Sequence, residues 1–334
     1  MKKKIIKYSK SYQNIFNLKK DFIKYNNFEL KRVLKINTVH KNSIERKFCK
    51  NCKKKLTKKT LFKSFNIDYK ICNFCGHLNS NFQENEKLFK TLYKKNSSLT
   101  FGNVYKNNYL ERMKKIYIPK VNFLKTVIKK PLKVLDYGCG AGHFVYALNS
   151  KGYQAYGFEI NENMKKLVPK RIANKIFYSG DLENVINSNN IDCLSLINVL
   201  EHLKNPDEIW SEFVNSKAKY IYISVPLLSF SVLLEHVFPS VYPKQLGGAH
   251  THLYTEQSLN YIFKKYKLRI LGEWWFGTDI ADLIRSLIVQ NKFYNTKSFN
   301  KLLDKYFNNY LDKMQNILDV SKKSQEVHMV LTKC

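Results

Sequence analysis

Apolar and polar residues are distributed differently in successive stretches of the chain. Through residue 45, lysine and asparagine interrupt every apolar stretch, and only scattered aromatics break the polar run, so no regular element is predicted there. From 84 to 129 the pattern is mostly helical. Met113, Ile116, Tyr117, Val121, Leu124 and Ile128 recur at helical spacing, with Pro119 expected to break the helix. Beyond 131, short apolar runs alternate with amphipathic segments. Strands are predicted over 132–136, 153–159, 174–178, 191–197, 219–225, 267–275 and 326–333. Helices are predicted over 142–150, 161–170, 205–216 and 255–266, the last with Thr255 as N-cap. A further helical stretch, 278–320, carries a stripe of Leu303, Tyr306, Tyr310, Met314 and Ile317 that is expected to pack into the core. Alternation of this kind predicts an α/β fold with a parallel, doubly wound, Rossmann-like sheet. The chain then divides into a basic segment (1–45), a cysteine-bearing module (46–80), a helical cap or linker (81–130) and the α/β domain (131–334).

The handover from the first strand of that domain to its helix is chemically specific. It reads Val134-Leu135-Asp136-Tyr137-Gly138-Cys139-Gly140-Ala141-Gly142. Glycines supply the positive φ angles and the bare backbone that let a ligand lie against such a turn. A dinucleotide fingerprint needs its third glycine three positions after the second, where this chain has His143. The D-x-G-x-G-x-G spacing suits a nucleoside ligand without a pyrophosphate and points to S-adenosylmethionine (SAM). The second strand ends at Glu159, 17 residues beyond Gly142, where a carboxylate can accept from both ribose hydroxyls. The third is followed by Ser179-Gly180-Asp181-Leu182, placing a carboxylate for an adenine amino group, and the fourth ends at Asn198, beside the expected sulfonium position.

Four of the seven cysteines form two C-x-x-C pairs, Cys49/Cys52 and Cys72/Cys75, separated by 19 residues. This arrangement supplies four thiolates for a tetrahedral zinc with no open position, hence a structural Zn(2+), and fits a reducing compartment. The net charge of +32 (58 Lys+Arg against 26 Asp+Glu) is compatible with a phosphate-binding surface. The lysines are nevertheless spread along the whole chain together with abundant Asn, Ile, Tyr and Phe, as AT-rich coding also produces. No signal peptide is expected after Met1-Lys2-Lys3-Lys4. The apolar run 220–238 contains Pro226, Glu235 and His236, so it reads as a buried strand plus a loop or short helix, without a membrane span, in a cytoplasmic protein.

With these motifs, the segment from about 131 to 333 resembles the class I SAM-dependent methyltransferases. The resemblance rests on 134–142 and on Asn198-Val199-Leu200-Glu201-His202-Leu203-Lys204-Asn205-Pro206. It implies a seven-stranded sheet whose last strand, 326–332, inserts antiparallel. It also implies that Asp136, Gly138 and Gly140, within the turn closed by Gly142, hold the methionine part, Glu159 the ribose, and Asp181 with Leu182 the adenine. The run 71–78 is similar to the zinc-binding segment of sugar C-methyltransferases and their relatives, where a helical region with spaced tyrosines follows, here Tyr105 and Tyr109. Those enzymes carry a further C-terminal domain, whereas this sequence ends after its seventh predicted strand. The expected acceptor is therefore a related small molecule, a sugar or nucleotide-linked sugar. An RNA methyltransferase using the zinc module and the basic surface is the alternative; the Pro-Pro-aromatic sequence of base-amino enzymes is absent after strand four.

Methyl transfer needs an aligned nucleophile and, for a hydroxyl or acidic C–H, a base. His202 lies at the carboxyl end of strand four, where ligands bind in such sheets. His250 and His252 lie in Gly247-Gly248-Ala249-His250-Thr251-His252, on the loop after strand five, and are candidates for base and orienting group. No metal is invoked for this pair.

Overall fold

The chain is seen in a computed structural model that describes residues 3–12, 25–40, 43–85, 108–178, 186, 190–246, 249–291, 297–307 and 309–334. Asp181, Leu182, Tyr105, Gly247 and Gly248 lie outside these residues. In chain order the elements begin with β1 (Ile5–Tyr8), α1 (Asn26–Thr38), β2 (Phe62–Ser64), β3 (Ile67–Ile71) and β4 (Leu78–Ser80). After α2 (Ile118–Val127) come β5 (Lys133–Tyr137), α3 (His143–Ser150), β6 (Gln154–Phe158), β7 (Ile176–Phe177), β8 (Cys193–Ile197) and α4 (Pro206–Asn215). Then follow β9 (Tyr220–Pro226), α5 (Phe230–Val237), β10 (His252–Leu253), α6 (Glu256–Lys265) and β11 (Leu268–Phe276). The chain closes with α7 (Asp279–Asn291), α8 (Lys297–Phe307), α9 (Leu311–Val320) and β12 (Glu326–Lys333).

The main sheet runs β1-β11-β12-β9-β8-β5-β6-β7. β12 is antiparallel to both β11 and β9, and the other pairings are parallel. The sheet therefore has eight strands, not the seven expected. The added strand is β1, drawn from the lysine-rich start, which pairs parallel with β11 from Ile5 opposite Gly272 to Tyr8 opposite Trp275. Its lysines are accommodated because it is an edge strand: Lys4 meets Glu273 at 3.2 Å and the Lys7 ammonium lies 4.0 Å over the Trp274 ring.

Both faces of the sheet are covered, as a parallel sheet with crossover helices requires. Trp210 and Phe213 of α4 and Leu259, Ile262 and Phe263 of α6 pack on one face. Val121, Phe123 and Leu124 of α2 and Phe144, Val145 and Leu148 of α3 pack on the other. Thr255 and Ser258 exchange side-chain and backbone hydrogen bonds in a capping box that starts α6. Over 161–170 the predicted helix is replaced by short 3-10 turns, Glu162–Leu167 and Lys170–Lys175, since Pro169 keeps Val168 extended. Pro119 does not break its helix. The preceding residues, Met113–Tyr117, form a wider π-turn that absorbs the missing N–H and the crowding of the ring. In the stretch 278–320 the stripe is rotated from the expected one: Leu303 and Met314 pack with Ile280, Ile284 and Leu311, whereas Tyr306, Tyr310 and Ile317 are exposed.

A second sheet, ordered β10-β4-β3-β2, carries the cysteine segment. Its edge strand β10 comes from the loop after β9, with His252 opposite Asn79 and Leu253 opposite Leu78. No helix is long and apolar enough to cross a membrane among the described residues.

Candidate active site

β5 ends in a turn whose three glycines all have positive φ, +72° at Gly138, +55° at Gly140 and +74° at Gly142. Their surroundings differ. A Cβ on Gly138 would lie 2.8 Å from Val199 Cγ2, and one on Gly142 would lie 2.8 Å from Ile172 Cδ1. On Gly140 it would meet nothing within 4 Å among the described residues. Gly138 and Gly142 are thus closed in by protein, while the backbone at Gly140 faces open space, as contact with a ligand demands.

Glu159, just beyond β6, reaches back to this turn. Its Oε2 accepts from the Gly140 N–H at 2.7 Å and its Oε1 from the Asn161 N–H at 2.8 Å. Burial pushes its pKa up, and the backbone N–H groups oppose that shift. Asp136 is 3% exposed and accepts from Ser195 Oγ at 2.7 Å. Burial pushes this carboxyl up to about 7. The Tyr109 hydroxyl donates to the Ala141 carbonyl at 3.1 Å, and the His143 ring is stacked between Tyr109 and Tyr117, which fastens the helical cap to the start of α3. Asn198 has φ +56° and is tied to β9: its N–H donates to the Ser224 carbonyl at 3.0 Å, and Ser224 Oγ donates to its Oδ1 at 3.0 Å.

Past Asn198 the chain turns through Glu201 and His202. Glu201 is fully buried, and burial pushes its pKa up to about 8. His202 and His250 come together with ring centroids 4.6 Å apart in an edge-on arrangement. Both rings are anchored through Nδ1, His202 to the Ala249 carbonyl at 3.3 Å and His250 to the Gln245 carbonyl at 2.6 Å. Burial pushes their pKa values down to about 3 and about 4, so both are neutral at pH 7. His252 is placed differently from its neighbour. It is 0% exposed, and its Nδ1 lies 2.9 Å from Nε2 of His77, whose Nδ1 in turn faces Ser258 Oγ at 3.3 Å.

A buried ionic group at the same edge of the sheet carries no motif signal. Lys120 Nζ of α2 lies 3.7 Å from Glu326 Oε1 at the start of β12, and His328 Nε2 donates to the same oxygen at 2.8 Å. The Tyr222 hydroxyl is 2.9 Å from His328 Nδ1. Burial raises the Glu326 pKa, but Lys120 and His328 together hold it well below the usual carboxylate range. These side chains come from positions far apart in the sequence, and a lone Lys in a helix offers nothing by which it could be singled out.

The four cysteines converge. Cys49 Sγ is 3.7 Å from Cys75 Sγ and Cys52 Sγ is 3.5 Å from Cys72 Sγ, and all four are buried and free of disulfides. Four sulfurs around a tetrahedral zinc with 2.3 Å bonds are separated by about 3.8 Å, so this donor set matches in type and spacing. Asn51 Nδ2 and Asn79 Nδ2 each approach a sulfur at 3.6 Å, on Cys75 and Cys49 respectively. The module is also fastened to the histidine loop. Glu84 pairs with Arg46 Nη2 at 2.6 Å, with Lys50, and with the Thr251 hydroxyl between His250 and His252.

A family model described as a methyltransferase domain matches residues 109–273. Among solved structures, a SAM-dependent methyltransferase from Archaeoglobus fulgidus is 18% identical, with 68% of this chain and 100% of that one covered and a TM-score of 0.42. The magnesium protoporphyrin IX methyltransferase of Synechocystis PCC 6803, solved with bound SAH, is 12% identical, with 68% and 86% covered and a TM-score of 0.44. The PH0226 protein of Pyrococcus horikoshii OT3 is 15% identical, with 76% and 100% covered and a TM-score of 0.42. No curated protein matches the sequence.

Proposed function

We propose that this chain, a SAM-dependent methyltransferase whose residues 109–273 match a methyltransferase domain, methylates a small molecule, a sugar or a nucleotide-linked sugar. The observation that carries this reading is the open backbone face at Gly140 beside the edge of the sheet where Glu201, His202 and His250 gather. The donor lies against the glycine turn. Asp136, Gly138, Gly140 and Gly142 form the methionine end, Glu159 receives the ribose hydroxyls, Asp181 and Leu182 the adenine, and Asn198 flanks the sulfonium.

The donor supplies an activated methyl on a positively charged sulfur. The protein's share of the reaction is alignment and management of a proton. The acceptor oxygen attacks the methyl carbon in line, the carbon–sulfur bond breaks with its electron pair going to sulfur, and the acceptor loses its proton. His202 and His250 face this position with their Nδ1–H groups committed to carbonyls, which leaves the lone pair on Nε2 of each. His252, bonded to His77, holds the loop in register and acts as a positioning residue. The four cysteines hold a structural Zn(2+), and the module so formed braces the His250–His252 loop through Glu84 and β4. Support for a sugar acceptor comes from the similarity of 71–78 to the zinc segment of sugar methyltransferases.

The test incubates pure protein and labelled SAM separately with a panel of nucleotide-sugars and with total RNA. Label in a nucleotide-sugar is the expected result. Label in RNA with none in the sugar panel refutes the proposed acceptor class and favours the basic surface as an RNA contact.

A further inference from the structure

Glu201 occupies a position that is costly as it stands. The residue is 0% exposed, and no hydrogen bond of full geometry reaches either carboxylate oxygen among the described residues; the Asn198 side chain and the backbone of Glu201 itself lie near enough to favour the charged form without completing a bond. A buried polar group left unsatisfied is destabilising, and native structures retain very few such groups without a reason. Here the unsatisfied carboxylate is not surrounded by apolar side chains alone. One ligand atom each from Glu201, His202 and His250 falls within 4.8 Å of the others.

The two histidines are oriented as metal ligands are. A coordinating imidazole almost always donates its other ring N–H to a carbonyl, carboxylate or water, which fixes the tautomer and aims the lone pair. His202 donates Nδ1–H to the Ala249 carbonyl, and His250 donates Nδ1–H to the Gln245 carbonyl. Each Nε2 therefore carries a lone pair, and the two rings sit edge-on to one another. Both histidines keep part of their surface accessible, whereas Glu201 is fully buried.

We infer that Glu201, His202 and His250 form a binding site for a divalent first-row transition cation, distinct from the four-cysteine site. Two imidazole nitrogens and one carboxylate oxygen suit Mn(2+), Fe(2+), Co(2+), Ni(2+) or Zn(2+), whereas Mg(2+) and Ca(2+) demand mostly oxygen ligands. Bonds of 2.0–2.2 Å place neighbouring ligand atoms about 3.0–3.6 Å apart, so binding draws the three together by about 1 Å. Three protein ligands leave positions open, in contrast to the closed shell of four thiolates. Resting on the methyltransferase reading, the inference gives those open positions a role: they receive the acceptor's oxygen beside the methyl donor. A hydroxyl held there is both oriented and made more acidic by the cation, so with the cation bound the two imidazoles serve as ligands and not as the base.

Cobalt distinguishes the two sites, because a thiolate ligand gives an intense charge-transfer band in the near ultraviolet and a nitrogen–oxygen ligand set gives only weak visible bands. Metal-stripped full-length protein is titrated with Co(2+) while both regions are followed. The expected result is two equivalents bound per chain, one with the sulfur band and one without. Glu201→Gln and His250→Gln each remove the equivalent lacking the sulfur band and leave the other, and Cys72→Ser removes the equivalent that carries it. A wild type that binds one equivalent overturns the inference. So does retention of both equivalents in the two ligand variants. His250 is half-exposed, so if Glu201→Gln fails to fold, His250→Gln decides the matter alone. SAM binding measured on the same samples reads the methyltransferase assignment independently. Its loss in the wild type would defeat that assignment and leave the cobalt count standing.

Discussion

Gly138 and Gly140 stand two residues apart in one turn, yet the same substitution has opposite consequences at the two positions. For Gly138→Ala, two costs add. A non-glycine residue at φ +72° costs about 1–2 kcal/mol. The new methyl, built 2.8 Å from Val199 Cγ2, overpacks a filled space at a further cost of about 1–3 kcal/mol. The total is about 2–5 kcal/mol of folding stability. For Gly140→Ala only the backbone cost applies, about 1–2 kcal/mol, because nothing lies within 4 Å of the new carbon. That carbon would stand on the face proposed above for the donor. Gly140→Ala should therefore weaken SAM binding at least tenfold, equivalent to about 1.4 kcal/mol. Urea unfolding of the ligand-free variants gives the first comparison and calorimetric titration with SAM the second. The reasoning is refuted if Gly140→Ala binds SAM within twofold of wild type, or if it destabilises the fold as much as Gly138→Ala.

Further expectations concern charge and metal. Burial holds Asp136 protonated up to about pH 7, and the positively charged sulfonium and ammonium of SAM favour its ionised form. Affinity for SAM should thus rise about tenfold from pH 6 to pH 8, and a flat profile in fluorescence titrations would exclude Asp136 as the titrating group. Lys120→Met leaves the part-buried carboxylate of Glu326 with His328 and the charge of Lys10 as remaining partners, which should cost about 1–3 kcal/mol in chemical denaturation. Cys72→Ser should release one zinc per chain by elemental analysis and lower kcat far more than SAM affinity, since the disturbed module braces the histidine loop and not the glycine turn.

The α/β domain is legible in the sequence because its information is local. Apolar runs such as 191–197 and 219–225 have the length of buried strands, and the glycine turn declares itself through residues that only backbone needs explain. Thr255 announces α6 for the same reason, by a cap completed three residues away. The remainder depends on distant partners. Ile5 and Ile6 sit among lysines and become a strand only because β11 offers an edge. β10 has two residues, too few for any periodic signal, and exists because β4 lies alongside. His250 and His252 look equivalent on the page, but strand pairing turns His252 toward His77 and leaves its neighbour beside His202. Glu201 was visible only as part of a motif. Its buried, unpartnered state is a property of the packed structure.

The sharing of one small sheet between β4 and β10 also shapes how the chain is made. His77 and His252 are separated by 175 positions, and Trp274 reaches back 265 positions to the carbonyl of Ser9. During synthesis the first 80 or so residues emerge without the partners that complete them. The small sheet therefore stays one strand short until β10 has been made. Contacts of such long range slow folding, and the waiting segment exposes a bare strand edge in the meantime. A truncation that keeps only the cysteine segment would retain both knuckles but lose the strand against which its sheet closes. Completion of the small sheet is thus tied to a segment that lies more than 170 positions further along the chain.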